Sequence, residues 1–255
     1  MRIAGKILFL LAAVSIARAQ GFQWTPSVRL PFEHPRLYVG MEGGAAMEYH
    51  WGELTNMEGW VLCGVYRSAY GQRWSVGAAA EYWIRPDRTI GGIFRWVRRQ
   101  IRFTHRTDPV PQKDSLGNTL PPLVTEYEFV PVVQQLQIGA RVKQRLFAPY
   151  VFVTAEAVTS ILLSYDATQT ERIVSPPERR FVDGSFQRTV AETPVVQLAA
   201  FNIGTAIGVG ADIPLIYSVY ASPVVRIVVP LFPLERQSAW RSVGISMTVA
   251  IYVGL

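Results

Sequence analysis

The stretch that most constrains this chain is its last sixteen residues, Trp240 to Leu255, in which side-chain character alternates at every step. Arg241, Val243, Ile245, Met247, Val249, Ile251, Val253 and Leu255 form one row, aliphatic after its first member, while Trp240, Ser242, Gly244, Ser246, Thr248, Ala250, Tyr252 and Gly254 form a small and polar one. A period of two is a β-strand, because successive Cβ atoms point to opposite faces. A strand this apolar on one side, with no charge after Arg241, predicts a lipid-facing surface backed by a narrow polar lumen.

At the other end, Arg2 and Lys6 precede the apolar run Ile7 to Ile16 and the small-x-small triplet Ala17-Arg18-Ala19. That order predicts a cleaved secretory signal peptide over residues 1–19. Its roughly ten apolar residues are too few to cross a ~30 Å hydrocarbon core as a helix. Removing it takes away three of the 25 basic residues, leaving 22 against 19 acidic ones and lowering the formal charge from +6 to +3. So even a balance, with no basic stripe, argues against nucleic acid as a partner. Cys63 is the single cysteine, which rules out an internal disulfide framework. No later apolar run approaches the length of a transmembrane helix, so a membrane location requires a closed barrel, the other structure that satisfies every backbone group in hydrocarbon.

Residues 20–35, with Pro26, Pro31 and Pro35, read as an extended periplasmic lead-in, and residues 36–255 as one barrel domain. Alternation places eight strands: Leu37–His50, Trp74–Ile84, Thr89–Thr104, Leu123–Val142, Tyr150–Tyr165, Thr189–Val209, Leu215–Val229 and Trp240–Leu255. Connections after the odd strands are long and those after the even strands short, the rhythm of an up-and-down transmembrane barrel. Two irregularities are expected. In the third strand Ile101 and Phe103 oppose Arg98, Gln100 and Arg102, and a bulge between Ile93 and Val97 reconciles this with the apolar residues before it. In the fourth, the pattern changes phase near Pro131, which predicts a bulge there. Tyr38, Tyr49, Trp51, Trp74, Tyr82, Phe103, Tyr127, Phe129, Tyr165, Tyr217 and Trp240 are candidates for interfacial aromatic girdles, some of them pointing instead into the lumen.

A soluble eight-stranded ligand carrier would place its apolar rows inside and its polar rows in water. Here the rows opposite the aliphatic ones carry Gly, Ser, Ala and too few charges to solubilise an exterior. Those charges balance, Glu42, Glu48, Glu81 and Glu156 against Arg98, Arg102, Arg141 and Arg226, with Glu126 and Glu128 as additions near the outer rim. Buried charges persist when paired, so these eight predict an interior ionic network in a lumen filled by side chains, without a conducting pore. His34, His50 and His105 are the only histidines. His50 and His105 fall near outer strand ends with Ser68 and Ser164 at a similar level, which leaves a rim hydrolase acting on lipid as an alternative. No zinc spacing, phosphate-cradling loop or calcium loop is present, so no cofactor or metal is expected. Asp166, Glu171, Glu178 and Asp183 read as a solvated acidic set in a charged loop.

Several segments resemble the outer-membrane β-barrel families of the Bacteroidota and neighbouring phyla, the broad group that includes PorT-like proteins. They are Leu37-Tyr38-Val39-Gly40, Ser75-Val76-Gly77-Ala78 with Glu81-Tyr82, Phe129-Val130-Pro131-Val132 with Ala148-Pro149-Tyr150-Val151, and Ile207-Gly208-Val209-Gly210-Ala211-Asp212-Ile213-Pro214. The resemblance spans nearly the whole mature chain and implies a barrel in the bacterial outer membrane. One departure is the final residue, Leu255, where such proteins commonly end in an aromatic. The expectation is a non-enzymatic, monomeric barrel in outer-membrane lipid, serving a structural, adhesive or envelope-assembly or secretion-accessory role through its loops, with other envelope or secretion proteins as partners.

Overall fold

The computed structural model describes residues 35–54, 66–114, 116–147, 150–191, 198–216, 218–233 and 240–255. The signal peptide, nearly all of the lead-in, His34, Cys63 and Tyr217 lie outside the described residues. The described chain is built from strands: β1 (Leu37–Leu54), β2 (Tyr66–Arg85), β3 (Arg88–Arg106), β4 (Val110–Lys113), β5 (Thr119–Phe147), β6 (Val151–Ser175), β7 (Gln187–Ala191), β8 (Phe201–Ala211), β9 (Ile213–Ile216), β10 (Val219–Pro230) and β11 (Arg241–Gly254). The fold is all-β. Eight of the strands form an antiparallel ring in chain order, β1-β2-β3-β5-β6-β8-β10-β11, and it closes where β1 meets β11 from Tyr38–Gly254 to Trp51–Arg241. Closure removes the exposed sheet edges that a flat sheet would present.

The stagger of the ring can be walked out on one row of pairs. The path runs Tyr38, Glu81, Gly91, Arg141, Glu156, Ala206, Val228, Gly244 and returns to β1 at Glu48, ten residues beyond its start. With eight strands, that stagger tilts them roughly 40° from the barrel axis. Glycine makes so tight a wall possible. A Cβ on Gly77 would lie 2.0 Å from the carbonyl oxygen of Phe94, and one on Gly40 would lie 2.2 Å from that of Ile251.

Each strand of the ring keeps one row of side chains inside and one outside, but in β3 and β5 the chemical identity of those rows inverts with height. In the lower part of β3, Ile90, Phe94 and Trp96 face outward while Thr89 and Arg95 face inward; in the upper part Arg98, Gln100 and Arg102 face outward and Ile101 and Phe103 inward. The parity never breaks. β3 pairs with β2 without a shift from Ala69–Phe103 to Trp83–Thr89, so the expected bulge between Ile93 and Val97 is absent. β5 behaves the same way: Tyr127, Phe129 and Val133 point inward above, Gln137, Arg141 and Lys143 below, and β5 pairs with β3 in one register through Pro131. What the alternation registered as slippage is a change of solvent, from lipid outside the lower barrel to water outside its upper extension. The irregularity lies in β6, where Gln134 and Gln135 pair with Ser164 and Leu162 and the inward row moves from even to odd positions.

One further expectation is corrected. The sixth strand is not continuous from Thr189 to Val209, because β7 pairs with upper β6 and β8 begins only at Phe201. Of the girdle candidates, Tyr49, Trp51, Trp74 and Tyr82 are on the exterior, whereas Tyr38, Phe103, Tyr127, Phe129 and Trp240 are buried inside. The outward Trp74 stacks edge-on against Trp96 with centroids 4.7 Å apart, and Tyr49 lies between Trp51 and Tyr70.

Candidate functional site

The lumen fills in three layers. At the bottom, where the short turns lie, Tyr38, Tyr220 and Tyr252 pack together, and Lys143 sits over the rings of Phe152, Tyr220 and Tyr252, 4.4 Å from the Phe152 centroid. Lys143 bridges Glu81 at 2.7 Å and Asp212 at 3.0 Å, and Arg145 reaches the other oxygen of Asp212 at 2.9 Å. The Tyr220 hydroxyl donates to Glu81 and the Ser222 hydroxyl to Asp212. Every carboxylate of this layer meets a cation and a hydroxyl donor, the condition under which buried charge is tolerated.

The middle layer is the ionic knot. Arg141 donates from Nη2 to Glu42 at 2.5 Å, from Nε to Glu156 at 2.6 Å and from Nη1 to the Tyr252 hydroxyl at 2.9 Å. Arg95 lies 2.5 Å from Glu42 and 3.1 Å from Glu156, and Arg226 lies 2.8 Å from Glu156 with its Nη1 on Thr248. A step higher, Glu48 takes Arg73 at 3.1 Å and Arg99 at 2.8 Å, with His50 at 3.5 Å. Above it is an apolar plug of Tyr66, Ile101, Phe103, Tyr127, Phe129 and Trp240.

The structure thus brings together six of the eight residues expected in the network: Glu42, Glu48, Glu81, Glu156, Arg141 and Arg226. Arg98 and Arg102 are elsewhere. Both point outward, Arg102 with two thirds of its side chain exposed and paired to Glu128 at 2.6 Å. Their places are taken by Arg95 and Arg99 on the other row of β3, joined by Arg73, Lys143 and Asp212, which the alternation alone puts in the connections between strands. The outward row Ile90, Phe94 and Trp96, continued at constant parity, points to Arg95 and Arg99. Taking Ile101 and Phe103 as the lipid face hid it.

The proposed rim hydrolase residues do not converge. His50 is fully buried and its Nδ1 accepts a hydrogen bond from Trp240 Nε1 at 3.1 Å, while His105 stands edge-on to Tyr66. Ser68 faces outward and Ser164 is half-buried. Among the described residues, no three His, Cys, Asp or Glu side chains gather as a metal site.

Beyond the lipid level the wall continues upward as a crown. β5 is 29 residues long and β6 is 25, well over twice the roughly ten that a tilted strand spends in hydrocarbon. Hairpin β4–β5 and the β6–β7 loop extend the crown and touch, Arg179 Nη1 donating to Gln112. Its sides carry paired charges: Glu126 binds Arg106 at 2.6 Å and Arg172 at 2.5 Å, and Glu171 takes Arg188 at 2.7 Å and the Tyr127 hydroxyl at 2.7 Å. The hydrogen bond from Arg106, joined by that from Arg172, holds the Glu126 carboxyl below the usual carboxylate range, and the bond to Glu171 raises Arg188. Asp114 organises the β4–β5 turn by accepting from the backbone of Leu116 and Asn118, around Gly117 at φ 87°. Between the charges stand exposed Val110, Leu116, Val182 and Phe186.

The exterior decides what medium the barrel occupies. Met41, Met47, Val76, Phe94, Ile138, Ile207, Val225, Ile227, Ile245 and Ile251 are all exposed, from strands all round the ring, while the charges at their height are inside. That is the inverse of a soluble carrier and the surface of a membrane-spanning barrel, with the Trp74–Trp96 pair near its upper edge. The described chain is a small membrane-spanning β-barrel. No family model matches it, nor does any curated protein. Among solved structures it is similar to Ail, the attachment invasion locus protein of Yersinia pestis, at 9% identity and a TM-score of 0.30 over 84% of this chain and 97% of that one. It is also similar to Neisserial surface protein A, at 13% identity and 0.30 over 86% and 97%. A third similarity is to the outer membrane protease OmpT from Escherichia coli, at 7% identity and 0.36 over 89% and 99%.

Proposed function

We propose that this barrel is a non-catalytic, monomeric protein whose work is done by the crown, as a surface for attachment to another component of the cell envelope or its surroundings. The observation that carries this reading is the crown itself. Two contacting hairpins rise beyond the lipid level and present Val110, Val182 and Phe186 to solvent, where they seal neither the lumen nor the membrane. Exposed apolar groups among paired charges are the composition of recognition surfaces. The non-catalytic part is supported by His50, whose fully buried ring accepts from Trp240, and by the outward placement of Ser68. Kinship with PorT-like barrels, and with it a part in envelope assembly or secretion, belongs to the same proposal and rests on the sequence motifs between Leu37 and Pro214.

The test is site-specific photo-crosslinking in intact outer membranes, with the reactive side chain placed at Val182, at Phe186 and at the lipid-facing Ile207. A discrete macromolecular adduct is expected from the two crown positions and lipid adducts alone from Ile207. Crown positions that yield no adduct beyond those of Ile207 would refute the attachment role.

A further inference from the structure

Between the ionic knot and the apolar plug the lumen keeps a cavity of about 50 Å³, lined by Arg73, Arg95, Arg99 and Arg226, with Glu156 as the only acid among the described residues that line it. That is room for three or four water molecules, or for one small oxyanion. The charges around it do not cancel among the described residues. Five guanidinium groups, the four lining the cavity and Arg141 beneath them, face Glu42, Glu48 and Glu156, while Glu81, 3.8 Å from Arg141, is balanced together with Asp212 by Lys143 and Arg145. The surplus has an address. Glu48 is shared by Arg73 at 3.1 Å and by Arg99, which reaches it through Nε at 2.8 Å. Arg226 is buried, and its Nη2 makes no hydrogen bond; its nearest carboxylate oxygen is 3.8 Å away, on Glu42.

Excess positive charge in a membrane-spanning barrel is costly unless an anion balances it. Guanidinium groups pair with oxyanions through parallel N–H donors, the geometry for which arginine is selected over lysine. We propose that this cavity is a binding site for a single small tetrahedral oxyanion of the phosphate and sulfate class, held by Arg73, Arg99 and Arg226 with the Ser246 and Thr248 hydroxyls alongside. Its two charges match the surplus of two, and its size matches the cavity. The anion then acts as an internal cement between the knot below and the plug above, and the stability of the barrel depends on which anion is present.

The experiment uses the full folded protein in neutral detergent, freed of phosphate and sulfate. Equilibrium dialysis with labelled inorganic phosphate measures binding directly, and thermal unfolding is followed in phosphate and in chloride at equal ionic strength. Saturable uptake of one phosphate per barrel is expected, with a rise in Tm that chloride does not reproduce. Arg99→Gln leaves Glu48 its partner Arg73 and should weaken phosphate binding about tenfold, the worth of one charged hydrogen-bond pair. Arg98→Gln, on the outer face of the same strand, should leave binding unchanged. No saturable uptake by the unaltered protein would overturn the proposal without any appeal to a variant. So would equal affinity in the Arg99 variant, or an equal loss in the Arg98 variant.

Discussion

Arg141 and Arg98 test the arrangement of the barrel wall most directly, because sequence placed both in the lumen and the structure separates them. Replacing Arg141 with methionine keeps much of its length and removes three directed bonds, to Glu42, Glu156 and Tyr252. Breaking one partner out of a buried ion cluster costs about 3–5 kcal/mol, because the remaining charges stay desolvated. Here Glu42 retains Arg95 and Glu156 retains Arg95 and Arg226, so the loss belongs at the lower end, about 3 kcal/mol. Arg98→Met removes an outward side chain with no ionic partner among the described residues and belongs within about 0.5 kcal/mol of zero. Reversible urea unfolding in lipid vesicles, read by heat-modifiable gel mobility, resolves this difference as a midpoint shift of about 1 M or more for Arg141→Met. If both variants unfold together with the parent protein, or if Arg98→Met proves the more damaging, the inside–outside assignment of β3 and β5 is wrong.

Other perturbations address other layers. Gly77→Val puts a side chain where the carbonyl of Phe94 already lies, and should cost about 2 kcal/mol or prevent the ring from closing, seen as loss of the compact gel form. Phe129→Asp places a charge in the upper plug and should loosen the crown while leaving the lipid-level strands protected in amide exchange, whereas Phe129→Leu should do neither. Acidification should act on the crown first. Glu126 has a folded-state pKa below its unfolded one, so its contribution is present above the ordinary carboxylate pKa and fades as pH falls toward the depressed value; amide exchange near Arg106 and Arg172 should quicken in that window, and exchange indifferent to pH there would contradict the pairing. Planar-bilayer recording should show no steady conductance through so filled a lumen, and a stable open channel would contradict the three-layer packing.

Much of the architecture was legible in the residues themselves. Strict alternation in Trp240–Leu255, in Leu37–His50 and in Trp74–Ile84 assigned the lipid and lumen rows correctly, because those segments touch a single pair of environments from end to end. Reading failed where a strand outlasts the membrane. In β3 and β5 the apolar row crosses from outside to inside, and an argument that equates apolar with lipid-facing turns this into a bulge. That one error moved Arg98 and Arg102 into the lumen and left Arg95 and Arg99 out of it. Lys143 and Asp212 were missed for a different reason. Asp212 sits just past the end of β8, and Lys143, still paired with Thr89 and Thr154, lies near the lower end of β5; nothing in their immediate neighbours distinguishes them from turn residues.

The inversion along β3 and β5 means that the barrel obeys two sets of substitution rules on the same ribbon. Near the short turns an inward glutamine or arginine is at home and an outward one is expelled. Eight residues away along the same ribbon, the identical exchange has the opposite sign, as Gln137 and Phe129 illustrate within a single strand. Tolerance to mutation in this protein should therefore be mapped by altitude above the lipid and not by strand or by side-chain type. The upper portion is free to diversify as a water-soluble sheet does, while the lower portion holds it upright.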